Sequence, residues 1–217
     1  MNASPTRPAA TFVAATSLTF LKPGLKNTLW PWVAYLARSG VTANQVTVTS
    51  LFGSVVVGGL LCVFAAESGL FAILPAWLAA RMACATIDGT LAIEFGQKSR
   101  LGVILNEAGD IISEIALFMP LMFVSPFSAT GISPLIALFV ASELAGIVPT
   151  MAGGERRLEG PLGKVDRSII LSAIALAIAV PGRLPASASI LVPVLSVGAM
   201  VTIGNRVRFA IHETATA

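Results

Sequence analysis

Charge is scarce in this sequence. Aspartate, glutamate, lysine and arginine together make up 12% of the 217 residues, where an average soluble domain carries about a quarter. The mean hydropathy is +0.85. That deficit excludes an ordinary water-soluble fold, and no nucleic-acid partner is expected. Histidine is nearly absent, with only His212 near the C-terminus. The two cysteines, Cys62 and Cys84, lie far apart in apolar runs with no Cys or His at metal spacing. That excludes a disulfide framework or a zinc motif and leaves two small buried hydrophobes. No internal repeat is visible, so the inverted-repeat pattern of many transporters is missing. The first twenty residues make a poor signal peptide and read as a flexible arm over 1–20.

Long hydrophobic runs are what the chain does have. A helix needs about 20 apolar residues to cross the ~30 Å hydrocarbon core, and six candidate spans follow one another. They run from about Ala43 to Ala66, Phe71 to Ile93, Leu101 to Val124, Ser133 to Met151, Asp166 to Val180 and Pro185 to Asn205. Before them, Leu21 to Gly40 interleaves Lys22, Lys26 and Arg38 with Trp30, Trp32 and Tyr35. That mixture describes an amphipathic helix lying in the membrane interface. Lys and Arg then concentrate on one side, in the segment before span one, in the loops joining spans two to three and four to five, and after span six. The opposite loops hold only Glu67 and Arg183. By the positive-inside rule both termini and the basic loops are cytoplasmic. The expected fold is all-α and integral to the membrane: six transmembrane helices after an interfacial helix, N-in and C-in, over 21–210, with a polar tail over 211–217.

Carboxylates inside these spans mark a site, because an ionisable residue in hydrocarbon is costly and functional by default. They concentrate in DGTLAIEFGQKSRLGVILNEAGD, Asp88 to Asp110. At 1.5 Å per residue, Asp88 lies about 25 Å below the outer start of its span and Asp110 about 14 Å above the cytoplasmic start of the next. Both fall in the cytoplasmic half of the bilayer. Asn106, Asp110 and Glu114 recur every four residues and share a helix face, as do Ala85 and Asp88. Two such faces pressed together can gather oxygen ligands around a hard divalent cation. A pair of such metals can clamp the attacking and leaving oxygens of a displacement at phosphorus. Gly89 and Gly102 leave room for close backbone approach to a ligand or simply for helix packing. Arg81, two turns above Asp88 on roughly the same face, either pairs with Glu114 or Glu143 or meets substrate. The loop GGERRLEGPLGKVDR, Gly153 to Arg167, feeds a helix whose N-terminus would favour an anion; its bland reading is a solvated loop that sets topology.

The spacing resembles the signature of the CDP-alcohol phosphatidyltransferase family: D-x-x-D-G-x-x-A-R, eight residues, then G-x-x-x-D-x-x-x-D. Asp88, Gly89, Ala92, Gly102 and Asp110 match it, whereas Ala85, Ile93 and Asn106 stand where Asp, Arg and Asp are usual. The segment GVTANQVTVTSLFG from Gly40 looks like the family's approach to its first span, and LNEAGD, Leu105 to Asp110, is similar to a bacterial subgroup with Asn at both the first and third acidic positions, from which Ala85 and Ile93 still depart. The resemblance spans about residues 21–208. It implies a bacterial inner-membrane enzyme of phospholipid biosynthesis whose site faces the cytoplasm. Such an enzyme moves a substituted phosphate from a CDP-linked lipid donor, such as CDP-diacylglycerol, to an alcohol acceptor and releases CMP. It also implies a divalent metal, Mg²⁺ or Mn²⁺, held by Asp88, Asn106 and Asp110, with Asp110 as catalytic base. Gly89, Ala92, Gly102, Lys164 and Arg167 would bind CDP or substrate, Glu107 or Glu114 would supply missing charge, and a homodimer is compatible with it. The rival readings are a catalytically silent relative that binds lipid or nucleotide or partners another lipid enzyme, and a small transporter using Arg81, Asp110 and Glu114.

Reporter fusions test the orientation directly. Fusions after Glu67 and Arg183 should read the external side, and fusions after Arg100 and Lys164 the cytoplasm. A cytoplasmic signal at Glu67 would overturn the six-span orientation.

Overall fold

The computed structural model describes residues 22–151, 153, 154 and 156–214; the arm expected over 1–20 lies outside them. Among the described residues the chain forms seven α-helices and no strand: α1 (Lys22–Arg38), α2 (Ala43–Val63), α3 (Ile73–Glu94), α4 (Arg100–Phe118), α5 (Ala129–Met151), α6 (Lys164–Ala179) and α7 (Leu191–Thr214). Short 3-10 turns lead into α3 and α7 and follow α4. The helix positions match the expected segments to within a few residues. One difference is at the end, where α7 runs on to Thr214 through the start of the expected polar tail.

Local chemistry fixes the helix starts. Thr42 and Gln45 form a reciprocal capping box at α2: the Gln45 N–H donates to Thr42 Oγ1 (3.2 Å) and the Thr42 N–H to Gln45 Oε1 (2.9 Å). The Gly102 N–H donates to Ser99 Oγ (2.9 Å) and starts α4. Each cap satisfies backbone donors that a helix otherwise leaves orphaned.

Four helical segments are long and apolar enough to cross a membrane: α2, α3 with its lead-in, α5, and α7 with its lead-in. Helix α6 has only 16 residues, and α4 spreads Arg100, Glu107, Asp110 and Glu114 along 19. Helix α5 is the central one, since 39% of its apolar window is buried against 17% in each of the other three. Large apolar side chains such as Phe52, Val63, Ile93, Val148 and Val180 point outward, as expected where hydrocarbon and not water is the solvent. Inside, Leu74, Leu117, Leu121, Ile132, Leu135, Phe139, Leu171 and Ile178 form one contiguous core.

Helix α2 packs broadly against both α3 and α4. Its buried stripe, Ala43, Ser50, Ser54, Gly58 and Leu61, is mostly small, which lets helices without a hydrophobic driving force approach closely. Helix α1 lies against α3, burying Val33 beside Ala43 and Leu91 while Trp30, Trp32 and Tyr35 stay exposed. Lys26 Nζ bonds Glu94 Oε1 at 2.7 Å and ties α1 to the end of α3. This is the two-faced helix the sequence suggests.

Gly58 is the tightest point of the α2–α4 contact, because a Cβ there would lie 2.6 Å from the Ala116 carbonyl carbon and closer still to its oxygen. Gly58→Ala should therefore lower stability by about 1–3 kcal/mol, the usual range for overpacking. Gly59→Ala, whose Cβ would meet nothing within 4 Å, should leave the thermal unfolding midpoint in detergent unchanged or slightly raised.

Candidate functional site

Asp88 and Asp110 come together in one cleft between α2, α3 and α4. It is lined by Thr47, Ser50, Arg81, Ala85, Asn106 and Ser113 beside the two aspartates. Helix α2 supplies a wall that the pairing of α3 with α4 did not anticipate. Asp88 is 8% exposed, and its Oδ2 accepts from Thr47 Oγ1 at 2.7 Å. The Thr47 hydroxyl sits one turn into α2, where the Ala43 carbonyl 3.1 Å away shares its single proton with Asp88. Ser50 and Ser113 carry no motif signal in the sequence; only their helix faces bring them here.

Asp110 is held by two cations. Arg81 Nη2 bonds its Oδ1 at 2.7 Å, and the Lys164 ammonium bonds its Oδ2. Arg81 therefore pairs with neither Glu114 nor Glu143, the partners the sequence suggested. A second, small cavity lies on the far side, lined by Arg81, Asp110, Glu114, Lys164, Ser168 and apolar side chains of α3, α4 and α6.

The other expected site residues have different surroundings. Arg167 is 1% exposed. Its Nε lies 2.8 Å from Glu114 Oε1, another guanidinium nitrogen bonds Glu143, and its charge stacks on the Phe139 ring 5.0 Å from the centroid. Of the Lys164 and Arg167 pair, only Lys164 faces a cavity. The α6 N-terminus is occupied by the chain's own anion, because the Gly163 N–H donates to Asp166 Oδ2 (2.9 Å). Ala92 packs toward Val33, Ala43 and Leu91. Gly102 admits Asn44, whose Oδ1 would be 2.6 Å from an added Cβ. Both serve helix packing. Gly89 borders open space, with nothing within 4 Å of an added Cβ.

Glu107 and Glu114 do not make good the missing charge of the Asp88–Asp110 cleft. Glu107 pairs with Arg156 and Glu114 with Arg167, and neither lines that cleft. They belong to a buried ionic network centred on Glu143 of α5, which meets Arg156 (3.4 Å), Arg167 and Arg206 (3.7 Å). Arg206 of α7 also donates to the Ser142 carbonyl and, at 3.4 Å, to that of Glu159.

The donor chemistry does not fit a pair of divalent cations. Ala85 offers no oxygen, Asn106 offers only a neutral amide carbonyl, and both oxygens of Asp110 are already engaged by Arg81 and Lys164. Among the described residues, no group of three or more His, Cys, Asp or Glu side chains could hold a metal ion. In the set expected from Asp88, Asn106 and Asp110, two carboxylates face two cations and leave no surplus negative charge for a dication.

Glu143→Ala strips Arg167 and Arg206 of their shared counter-ion inside the bundle. Breaking a buried ion pair by deleting one partner costs about 3–5 kcal/mol. The variant should show a large loss of thermal stability in detergent, with Glu143→Gln losing less because it keeps an acceptor oxygen.

No family model matches the chain. The fold is shared with a solved structure of Mycobacterium tuberculosis phosphatidylinositol phosphate synthase in complex with manganese and citrate, at a TM-score of 0.62 and 23% identity, covering 83% of this chain and 87% of that one. In sequence the chain is 39% identical over 160 residues to the inner membrane protein YnbA of Escherichia coli strain K12, covering 74% of this chain and 79% of YnbA. An all-helical architecture, apolar spanning helices and that degree of identity lead to one conclusion: this chain belongs to the family of the inner membrane protein YnbA.

Proposed function

We propose that this protein is a membrane CDP-alcohol phosphotransferase, moving a substituted phosphate from a CDP-linked lipid to an alcohol with release of CMP. In this reading the chain crosses the membrane six times with both termini inside, α4 and α6 completing the set, and the cleft opens toward the cytoplasm. The observation that carries it is the meeting of Asp88 and Asp110, from the two halves of one spaced signature, in a single buried cleft. The likeness in fold to a phosphatidylinositol phosphate synthase supports it.

The chain's own groups suffice to outline the chemistry. Asp110 takes the proton of the alcohol as the alcohol oxygen bonds to the lipid-bearing phosphorus. The bond from that phosphorus to the bridging oxygen of the diphosphate breaks, and CMP leaves with the electron pair. Thr47 fixes the Asp88 carboxylate by its hydrogen bond, so Asp88 keeps one orientation in the cleft. The bare backbone at Gly89 lets the nucleotide approach α3 closely. One observation favours a second reading: both Asp110 oxygens are ion-paired, which leaves neither free to meet an alcohol and suits a silent lipid- or nucleotide-binding relative.

CMP release from CDP-diacylglycerol, by purified protein with a panel of alcohols and with or without Mg²⁺ or Mn²⁺, separates the two. General-base catalysis is worth about 10²–10⁴-fold, so Asp110→Asn should lose at least that much activity while remaining folded. Asp88→Asn should fall comparably and Glu107→Gln far less. Ala85→Asp should create divalent-cation binding, read by titration, that the wild type lacks. Wild-type protein that releases no CMP with any alcohol under any of these conditions would leave the silent-relative reading.

A further inference from the structure

We infer that Arg81 and Lys164 form a phosphate-binding site that takes the diphosphate of the nucleotide donor by direct ion pairing, where a metal-bridged site would need more carboxylates. The inference rests on the phosphotransferase reading for the identity of its ligand, but its geometry stands separately.

Arg81 lines both cavities, and Lys164 reaches the same carboxylate from α6. These are two cations from different helices converging on one point. Asp110 gives one oxygen to each of them, and the two carboxylates of the cleft do no more than balance the two cations. Arg81 also has donor capacity left. Nη2 is given to Asp110, while Nε is buried and has no hydrogen-bond partner. A buried unpaired donor is costly, and a guanidinium fork matches two phosphate oxygens.

Ala85 explains why that capacity is free. It lies four residues after Arg81 on α3, so the two share a face, and it lines the same cleft. An aspartate there would be the natural second partner of the guanidinium. Alanine leaves that position open, and it removes a negative charge that would repel an incoming diphosphate. The second cavity, with Ser168 beside Lys164, gives the ammonium somewhere to move. Its side chain is the more exposed of the two, 32% against 13% for Arg81. When phosphate oxygens take these cations, both Asp110 oxygens are released and can meet the acceptor hydroxyl. Substrate binding and release of the base are then one event.

Calorimetry on the intact protein in detergent, in excess EDTA, tests this with inorganic pyrophosphate and CDP as probes. Wild-type protein should bind both, Arg81→Gln should weaken each at least tenfold, and Arg81→Lys should fall between them because it keeps charge without the fork. Cytidine, which has no phosphate, should be indifferent to all three. Failure of wild-type protein to bind either probe in EDTA would overturn the inference without any variant having to fold, and so would unchanged affinity in Arg81→Gln. CMP release measured in parallel separates the two claims. Turnover accompanied by no binding in EDTA would sink the cationic site and leave the phosphotransferase; binding in EDTA without turnover would do the reverse.

Discussion

Charge inside a membrane bundle has to be matched at short range, because neither water nor salt is there to screen it. In this protein one carboxylate, Glu143, meets most of that demand. It sits on α5, the most enclosed of the spanning helices, and faces arginines from the α5–α6 loop, α6 and α7. Three separate chain segments are thereby located by one group. Arg167 adds a stack on Phe139 and a contact with Glu114, so α4 joins the same arrangement. The register of α6 is fixed in this way, and with it the position of Lys164, one turn before Arg167. The cleft inherits its geometry from an ion cluster that does not touch it.

The other wall is set by shape. Small residues on α2 let it sit against α3 and α4 together, and Thr47 and Ser50 reach the cleft as a result of that closeness. Polar atoms therefore enter from a helix whose composition is overwhelmingly apolar. Trp77 illustrates the same economy: its ring NH donates to Ser54 Oγ at 3.1 Å, and the ring covers Gly53, where a Cβ has no room. The buried hydroxyls of α2, Ser50 and Ser54, face the cleft or a neighbour in the same way.

Much of the fold was legible because hydropathy and basic residues speak plainly in a membrane chain. The segments matched, and the interfacial helix kept its two faces. Asp88 and Asp110 were legible too, since a carboxylate in an apolar run stands out. Charge partners were not. Arg81 could reach several acids by helical spacing, and only the packing of α3 against α6 brings it to Asp110 with Lys164. Arg167 and Lys164 look equivalent along the chain, three residues apart, yet 100° per residue of helical turn sends one into the core and the other to a cavity. Small residues were equally ambiguous: Ala92 and Gly102 proved to be spacers between helices. A sequence shows which groups need partners; it does not show which partner is within reach.

The bond from Lys26 to Glu94 has a consequence for the depth of the cleft. It ties α1, whose aromatic side chains face outward, to the last turn of α3, and Asp88 is six residues back along that helix, about 9 Å at 1.5 Å per residue. In the proposed arrangement, with α1 in the plane of the headgroups, this tie works as a depth gauge: it holds the aspartate within two helical turns of the level at which a lipid-borne phosphate already lies.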